Sequence, residues 1–256
     1  MVLLLSLPSV CFPRRPSLLH STSTRMDLKA PHSEMNRSRA SFPDFNNRKL
    51  PILLFDIMDT IVRDPFYHDV PAFFRMSMKE LIECKHPTAW LEFEKGTIDE
   101  VELARKFFKD ERPLDLEGLK NCMKSGYSYL EGVEELLNAL KNNNYEMHAF
   151  TNYPTWCEMI EDKLKISRYM SWTFCSFKNG KRKPDPDFYL EAVEHLEVDP
   201  ANCVFVDDRM KNVEAAIAVG IVGLHFKNAE TLRQDLSLMG IDVSDNEVNQ
   251  TEDNLY

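Results

Sequence analysis

No stretch of this chain approaches the ~18 consecutive apolar residues of a membrane-crossing helix, so no membrane span is expected. Positive charge is not in excess either. Thirty-one Lys and Arg face 41 Asp and Glu, a formal net charge of −10. That balance argues against a general nucleic-acid binder, whose phosphate-facing surface would be basic. The six cysteines include no CxxC pair and no zinc-finger spacing. Cys175 and Cys203 lie in apolar, strand-like runs, which suits reduced and mostly buried thiols in a reducing compartment. No segment repeats.

Acidic residues are missing from one place in particular. Residues 1–26 contain no Asp or Glu, yet hold Arg14, Arg15, Arg25 and several Ser and Thr. An acid-poor, Ser-rich, basic leader has the composition of an organelle transit peptide. Its Ser and Thr content favours the chloroplast, with the stroma as destination and the mitochondrion as runner-up. A disordered cytosolic tail is the plainer alternative.

What is present is ordinary globular composition, 43% hydrophobic and 28% charged over 256 residues, enough for one or two domains with a sizeable core. The informative stretch is 51–60, PILLFDIMDT. Ile52, Leu53, Leu54 and Phe55 form a short apolar run that ends in Asp56, followed by Asp59 and Thr60. A buried parallel strand has this pattern, and its carboxyl end is where open α/β sheets bind ligands. A strand ending in an acidic turn is, taken alone, more often only a turn.

Further strands are predicted at 147–151, 172–175, 203–206 and 222–226. Helices alternate with them, with Asp185 and Pro186 opening one and Gly220 ending another. Between the first two strands lies a long helix-rich segment without strand pattern. The reading is a doubly wound α/β parallel-sheet core over 46–66 and 139–240, with a helical cap over 67–138 inserted after the first strand. Residues 1–45 are set aside as the leader and 241–256 as a loose acidic tail.

Three strand ends then offer polar groups to one sheet edge: Asp56, Thr151 with Asn152, and Asp207 with Asp208. The loop GKRKPDP adds Lys183 ahead of a helix start, while Lys178, Lys181 and Arg182 read as solvated neighbours. In this order the motifs resemble those of the haloacid dehalogenase superfamily, over about residues 51–226. The resemblance implies that Asp56 is the nucleophile forming an aspartyl-phosphate. It implies that Thr151 and Asn152 bind the phosphoryl group and that Lys183 holds nucleophile and phosphate together. Mg²⁺ is the implied cofactor, held by Asp56, Asp208 and the backbone carbonyl of Met58. The chemistry is coherent, because a carboxylate approaches a phosphate dianion only where a hard cation and a lysine neutralise the site.

One departure stands out. The family's phosphatases carry a second Asp two residues after the nucleophile as general acid and base, and here that position is Met58. A thioether cannot transfer a proton. Asp59, one residue further, is expected either to replace that acid or to hydrogen-bond its own turn.

The cap is rich in large aromatics: Phe73, Phe74, Trp90, Phe93, Phe107, Phe108, Tyr127 and Tyr129. One or two could stack on a flat leaving group, although most are expected to fill the cap's own core. The string FDIMDTIVRDPF, with the cap after it and the leader before it, resembles plant chloroplast flavin mononucleotide hydrolases. The partner so implied is a small phosphate ester, flavin mononucleotide, released as riboflavin and phosphate. Two alternatives are a phosphatase of another small metabolite and a catalytically dead relative serving as a binding subunit.

Overall fold

The computed structural model describes residues 48–244. The leader expected over 1–45, and the tail beyond 244, lie outside the described residues. Strand β1 (Ile52–Phe55) is followed by six short helices: α1 (Pro65–His68), α2 (Val70–Phe74), α3 (Met78–Cys84), α4 (Ala89–Glu94), α5 (Glu100–Lys106) and α6 (Leu116–Gly126). Next come α7 (Val133–Asn142), β2 (Met147–Thr151), α8 (Cys157–Leu164), β3 (Ser171–Cys175) and α9 (Ser176–Asn179). The remainder is α10 (Pro186–Leu196), β4 (Cys203–Asp207), α11 (Met210–Ala218), β5 (Val222–His225) and α12 (Ala229–Leu238).

All five strands are parallel, in the order β3-β2-β1-β4-β5. The chain winds outward from β1 through β2 to β3, then crosses back to β4 and β5. Strand order therefore reverses between β1 and β4. A crevice opens at the carboxyl ends on either side of such a reversal, which is where doubly wound folds bind ligands.

Alternate strand residues face opposite ways and supply two apolar layers. Leu53, Phe55, Met147, Ala149, Val204 and Val206 pack in one layer with Leu136, Leu137 and Leu140 of α7, Ile160 of α8 and Leu232 and Leu236 of α12. Ile52, Leu54, Phe150, Phe174, Cys203 and Phe205 face Phe188, Tyr189, Ala192 and Leu196 of α10 and Ala216 of α11. Each Val, Leu, Ile, Phe or Met side chain so buried contributes about 1.5–3 kcal/mol. Double-sided burial explains why β1 and β4 up to Val206 read as continuous apolar runs rather than alternating ones.

The insertion is closed at its base by paired linkers. Val62 bridges Tyr129 in antiparallel fashion, and the Arg63 N–H donates to the Ser128 carbonyl at 2.9 Å. The chain thus leaves the core at Val62 and returns at Tyr129. Residues 133–138, read as cap from the sequence, belong instead to α7, whose Leu136 and Leu137 lie in the layer under the sheet. Helix period and composition do not distinguish a cap helix from a sheet-covering one. The start of the tail also differs from expectation. Ile241 and Val243 are buried, and the Asp242 N–H donates to the Tyr145 hydroxyl at 2.9 Å.

Candidate active site

Register places the reactive groups together. Phe55 pairs with Ala149 on one side and Val206 on the other. Asp56 continues the ladder, its N–H donating to the Val206 carbonyl at 2.9 Å. Asp56 directly follows β1, Thr151 ends β2 and Asp207 ends β4, so one sheet edge carries all three.

At the centre is Lys183, almost wholly buried. Its ammonium donates to Asp56 Oδ1 at 2.8 Å and to Asp207 Oδ2 at 2.6 Å. Burial by itself would lower the Lys183 pKa; the carboxylates of Asp207 and Asp56 outweigh it, so the pKa is raised and the lysine stays charged. Asp56 feels the opposite balance. Burial, with Asp207 and Asp208 adding like charge, outweighs Lys183 and lifts its carboxyl from the usual 3.8 to about 7. Burial, then the charge of Asp207, also raises Asp208, to about 6.

The paired carboxylates differ in what satisfies them. Asp207 Oδ1 accepts from the Arg209 N–H at 2.8 Å and from Asn212 Nδ2 at 3.0 Å, while Oδ2 accepts from Lys183 and again from Asn212 at 3.0 Å. Asp208 Oδ1, by contrast, is buried with no hydrogen-bond partner among the described residues. Ligand oxygens of Asp56, Asp207 and Asp208 lie within 4.8 Å of one another. Three hard oxygen donors, one of them orphaned, fit a magnesium ion well. Thr151 Oγ1 is likewise buried without a partner among the described residues, at the edge where an incoming oxyanion would be received.

Asn152 has a further part besides the one expected. Its Oδ1 accepts from the Lys183 N–H at 2.7 Å, and its Nδ2 donates to the Lys183 carbonyl at 2.8 Å. Both amide atoms hold the lysine loop in place, while Asn152 also lines the cavity and keeps a second N–H on Nδ2. Asp59 is turned to its own backbone. It sits in the left-handed region at φ 55°, where a short polar side chain is tolerated, and its Oδ1 accepts from the Asp64 N–H at 2.9 Å. It does not line the cavity beside Asp56. Of the two roles open to Asp59, the geometry is that of the turn.

That cavity, of about 220 Å³, lies between the sheet edge and the cap. Met58, Asp64, Phe66, Tyr67, Trp90 and Tyr153 are among its walls. Of the eight cap aromatics singled out from the sequence, Trp90 alone lines it. Phe73, Phe74, Phe107 and Phe108 instead pack against each other, with centroids 4.8–5.6 Å apart. Arg182, expected in solvent, reaches across to the cap and pairs with buried Glu94 at 2.8 Å. Ser176 Oγ donates to the Glu94 carbonyl at 2.5 Å, tying the same helix to the core.

Several residues of the site were assigned no role from the sequence. Thr60 Oγ1 accepts from the Asp208 N–H at 3.1 Å, coupling the first loop to the β4 loop. His225 bonds the Asp208 carbonyl at 2.8 Å. Asp64 was given no role from the sequence. It does cap α1 through Phe66, but it also faces the cavity.

A doubly wound parallel sheet, a helical insertion after β1 and a buried Asp-Lys-Asp cluster at the strand-order reversal define a capped, Rossmann-like α/β protein with a carboxylate–lysine site. The chain belongs to the haloacid dehalogenase-like hydrolases, whose sequence model matches residues 51–220. It is 67% identical over 197 residues to chloroplastic flavin mononucleotide hydrolase 1 of Arabidopsis thaliana, covering 77% of this chain and 80% of that protein. A bifunctional riboflavin kinase/FMN phosphatase of Arabidopsis thaliana is 39% identical over 97 residues, 36% of this chain and 24% of that one. Among solved structures, a haloacid dehalogenase family enzyme of Bacteroides thetaiotaomicron, in complex with magnesium and inorganic phosphate, superposes with a TM-score of 0.59. At 18% identity, over 70% of this chain and 95% of that one, it establishes likeness of fold.

Proposed function

We propose that this protein is a magnesium-dependent phosphomonoesterase that hydrolyses flavin mononucleotide to riboflavin and phosphate. The observation that carries the reading is the buried Asp56–Lys183 pair, flanked by the unpartnered oxygens of Thr151 and Asp208, opening into a cavity walled by Phe66, Tyr67, Trp90 and Tyr153. The name of the 67% identical relative supports the choice of flavin. That name and the acid-poor leader together support a chloroplast location, which a reporter fused to residues 1–50 tests.

In this mechanism Asp56 attacks phosphorus and the ester oxygen leaves, giving an aspartyl-phosphate that water then cleaves. Lys183 holds the nucleophile and neutralises incoming charge, and the Thr151 hydroxyl donates to a phosphoryl oxygen. Asp56, Asp208 and the Met58 carbonyl would hold Mg²⁺, which when bound supplies the charge that lets a carboxylate approach a phosphate dianion.

The deciding measurement is phosphate release from flavin mononucleotide by the purified protein, with magnesium and with chelator. Release with the metal and none without it is expected. Tight flavin mononucleotide binding with no phosphate release under either condition would favour a binding subunit instead.

The metal site carries its own expectations. Asp208→Ala should weaken magnesium binding more than Asp207→Ala, because Asp207 is already saturated by protein donors. Asp207→Ala should lose more stability, since it strips Lys183 of its 2.6 Å partner. Magnesium affinity should rise with pH between about 5 and about 7, since protons on Asp56 and Asp208 compete with the ion in that window. Isothermal titration of wild type and both variants at pH 5, 6 and 7.5 tests all of this. The reverse ranking of the variants would move the ligand role to Asp207.

A further inference from the structure

An alkoxide leaving group needs a proton, and Met58 stands where a donor would. We propose, resting on the phosphatase reading above, that the carboxyl of Asp64, at the point where the chain enters the cap, is the general acid and base of this site.

Among the described residues three carboxyl side chains line the cavity: Asp56, Asp64 and Glu94. Asp56 is taken as the nucleophile. Glu94 is held on both oxygens, Oε1 by Trp90 Nε1 at 2.7 Å and Oε2 by the Arg182 guanidinium at 2.8 Å, and the cap–core contact depends on it. Asp64 differs from both. Its Oδ1 accepts from the Phe66 N–H at 2.9 Å, and that is the one hydrogen bond its carboxyl makes among the described residues. Its backbone is fixed twice over, by the Asp59 carboxylate on its own N–H and by the Arg63–Ser128 bond beside it. The turn around Asp59 therefore serves to hold Asp64 in place.

The surroundings suit a proton donor. Burial raises the Asp64 carboxyl to about 6, opposed by its bond from Phe66, with Asp59 and Asp208 raising it further and Arg209 lowering it. It lines the same cavity as Asp56 and Met58, which places it on the wall around the reacting centre. Other acids of the cavity are less suited. Tyr153 is bonded to Tyr127 at 2.8 Å, and burial raises it well above the ordinary phenol. Lys85 lies over the Phe66 ring at 5.6 Å, and the charge acting on it is that of Glu94.

The balance is complete with Asp64 alone. As the Asp56 oxygen bonds to phosphorus, the ester P–O bond breaks, and its electron pair takes the Asp64 proton to give the alcohol. The Asp64 carboxylate then accepts a proton from water as the water oxygen bonds to phosphorus. The P–O bond to Asp56 breaks, phosphate leaves, and both carboxyl groups return to their starting states.

Asp64→Asn tests this without dismantling α1, because asparagine caps helices as well as aspartate does. Values of kcat/KM are compared for flavin mononucleotide, glycerol phosphate and p-nitrophenyl phosphate, whose phenol leaves readily. Loss of the general acid should slow the alkyl esters by about 10²-fold or more while barely affecting the aryl ester. Adding Met58→Asp to Asp64→Asn should restore much of the alkyl activity. Equal loss on all three esters would make Asp64 structural and overturn the assignment, as would no loss on any. A selective loss in Asp59→Asn but not in Asp64→Asn would hand the role to Asp59. A wild type active on glycerol phosphate but not on flavin mononucleotide would overturn the flavin assignment alone, with Asp64 still judged on glycerol phosphate. A wild type active only on the aryl ester has no working donor and would overturn the assignment to Asp64.

Discussion

Replacing Asp56 by asparagine is expected to reduce phosphate release by about 10⁴-fold or more, the scale seen when a covalent nucleophile is removed. The fold should survive. Lys183 keeps Asp207 as a partner at 2.6 Å, and the change removes a carboxyl whose charge burial already opposes. Stability without metal should therefore be equal to wild type or slightly higher. Thermal unfolding and phosphate release on the same preparation, its substitution verified by mass, check both halves. Near wild-type turnover would sink the aspartyl-phosphate mechanism. Collapse of the fold would instead show that Asp56 is needed to keep Lys183 buried.

Lys183→Met should be the more damaging change, because it acts on the fold and on the chemistry together. Methionine matches the length of the stem but leaves Asp56 and Asp207 buried without their cation. Breaking a buried ion pair from one side costs about 3–5 kcal/mol. The pH dependence has a definite sign. Losing Lys183 removes a group that lowers the Asp56 pKa, which already stands near 7 against 3.8. A carboxyl raised in the folded state favours folding when protonated, and that contribution is lost as pH rises from about 4 through 7. The deficit should therefore be smaller at pH 5 than at pH 8, and magnesium should recover part of it at pH 8. Urea unfolding at the two pH values, with and without the ion, is the measurement. A deficit independent of both would assign Lys183 a packing role only.

Both expectations turn on residues that the sequence already singled out, and the reason is physical. Parallel strands in a doubly wound sheet run the same way, so every strand's last residue reaches the same edge. Asp56, Thr151 and Asp207 could each be located as the end of an apolar run, and topology brings such ends together without further information. Lys183 was legible because an Asp-Pro helix start marked the loop before it. The aromatic content of the cap was equally visible, but which rings face the cavity was not. Phe74 and Phe107 look no different in sequence from Trp90. Burial in the cap's own cluster or exposure at the sheet edge depends on how six short helices pack. Arg182 was misjudged for the same reason, since its partner Glu94 lies 88 residues away in another part of the chain.

By itself, then, the sequence determined the order of strands and helices, the position of the insertion after β1 and the strand ends that carry reactive groups. These follow from local periodicity and turn chemistry, which neighbouring residues set. Tertiary structure decided which donors reach each carboxyl. Asp207 is saturated while Asp208 keeps a free oxygen because Lys183, Arg209 and Asn212 converge on the first and not the second. Asp59 is drawn into its own turn and Asp64 out to the cavity by a left-handed residue and a helix start five positions apart. The side chain is the same in all four cases; what differs is the set of donors that reaches it, from two residues away at Asp64 to 24 residues away where Lys183 meets Asp207, and only the folded chain shows which of them arrive.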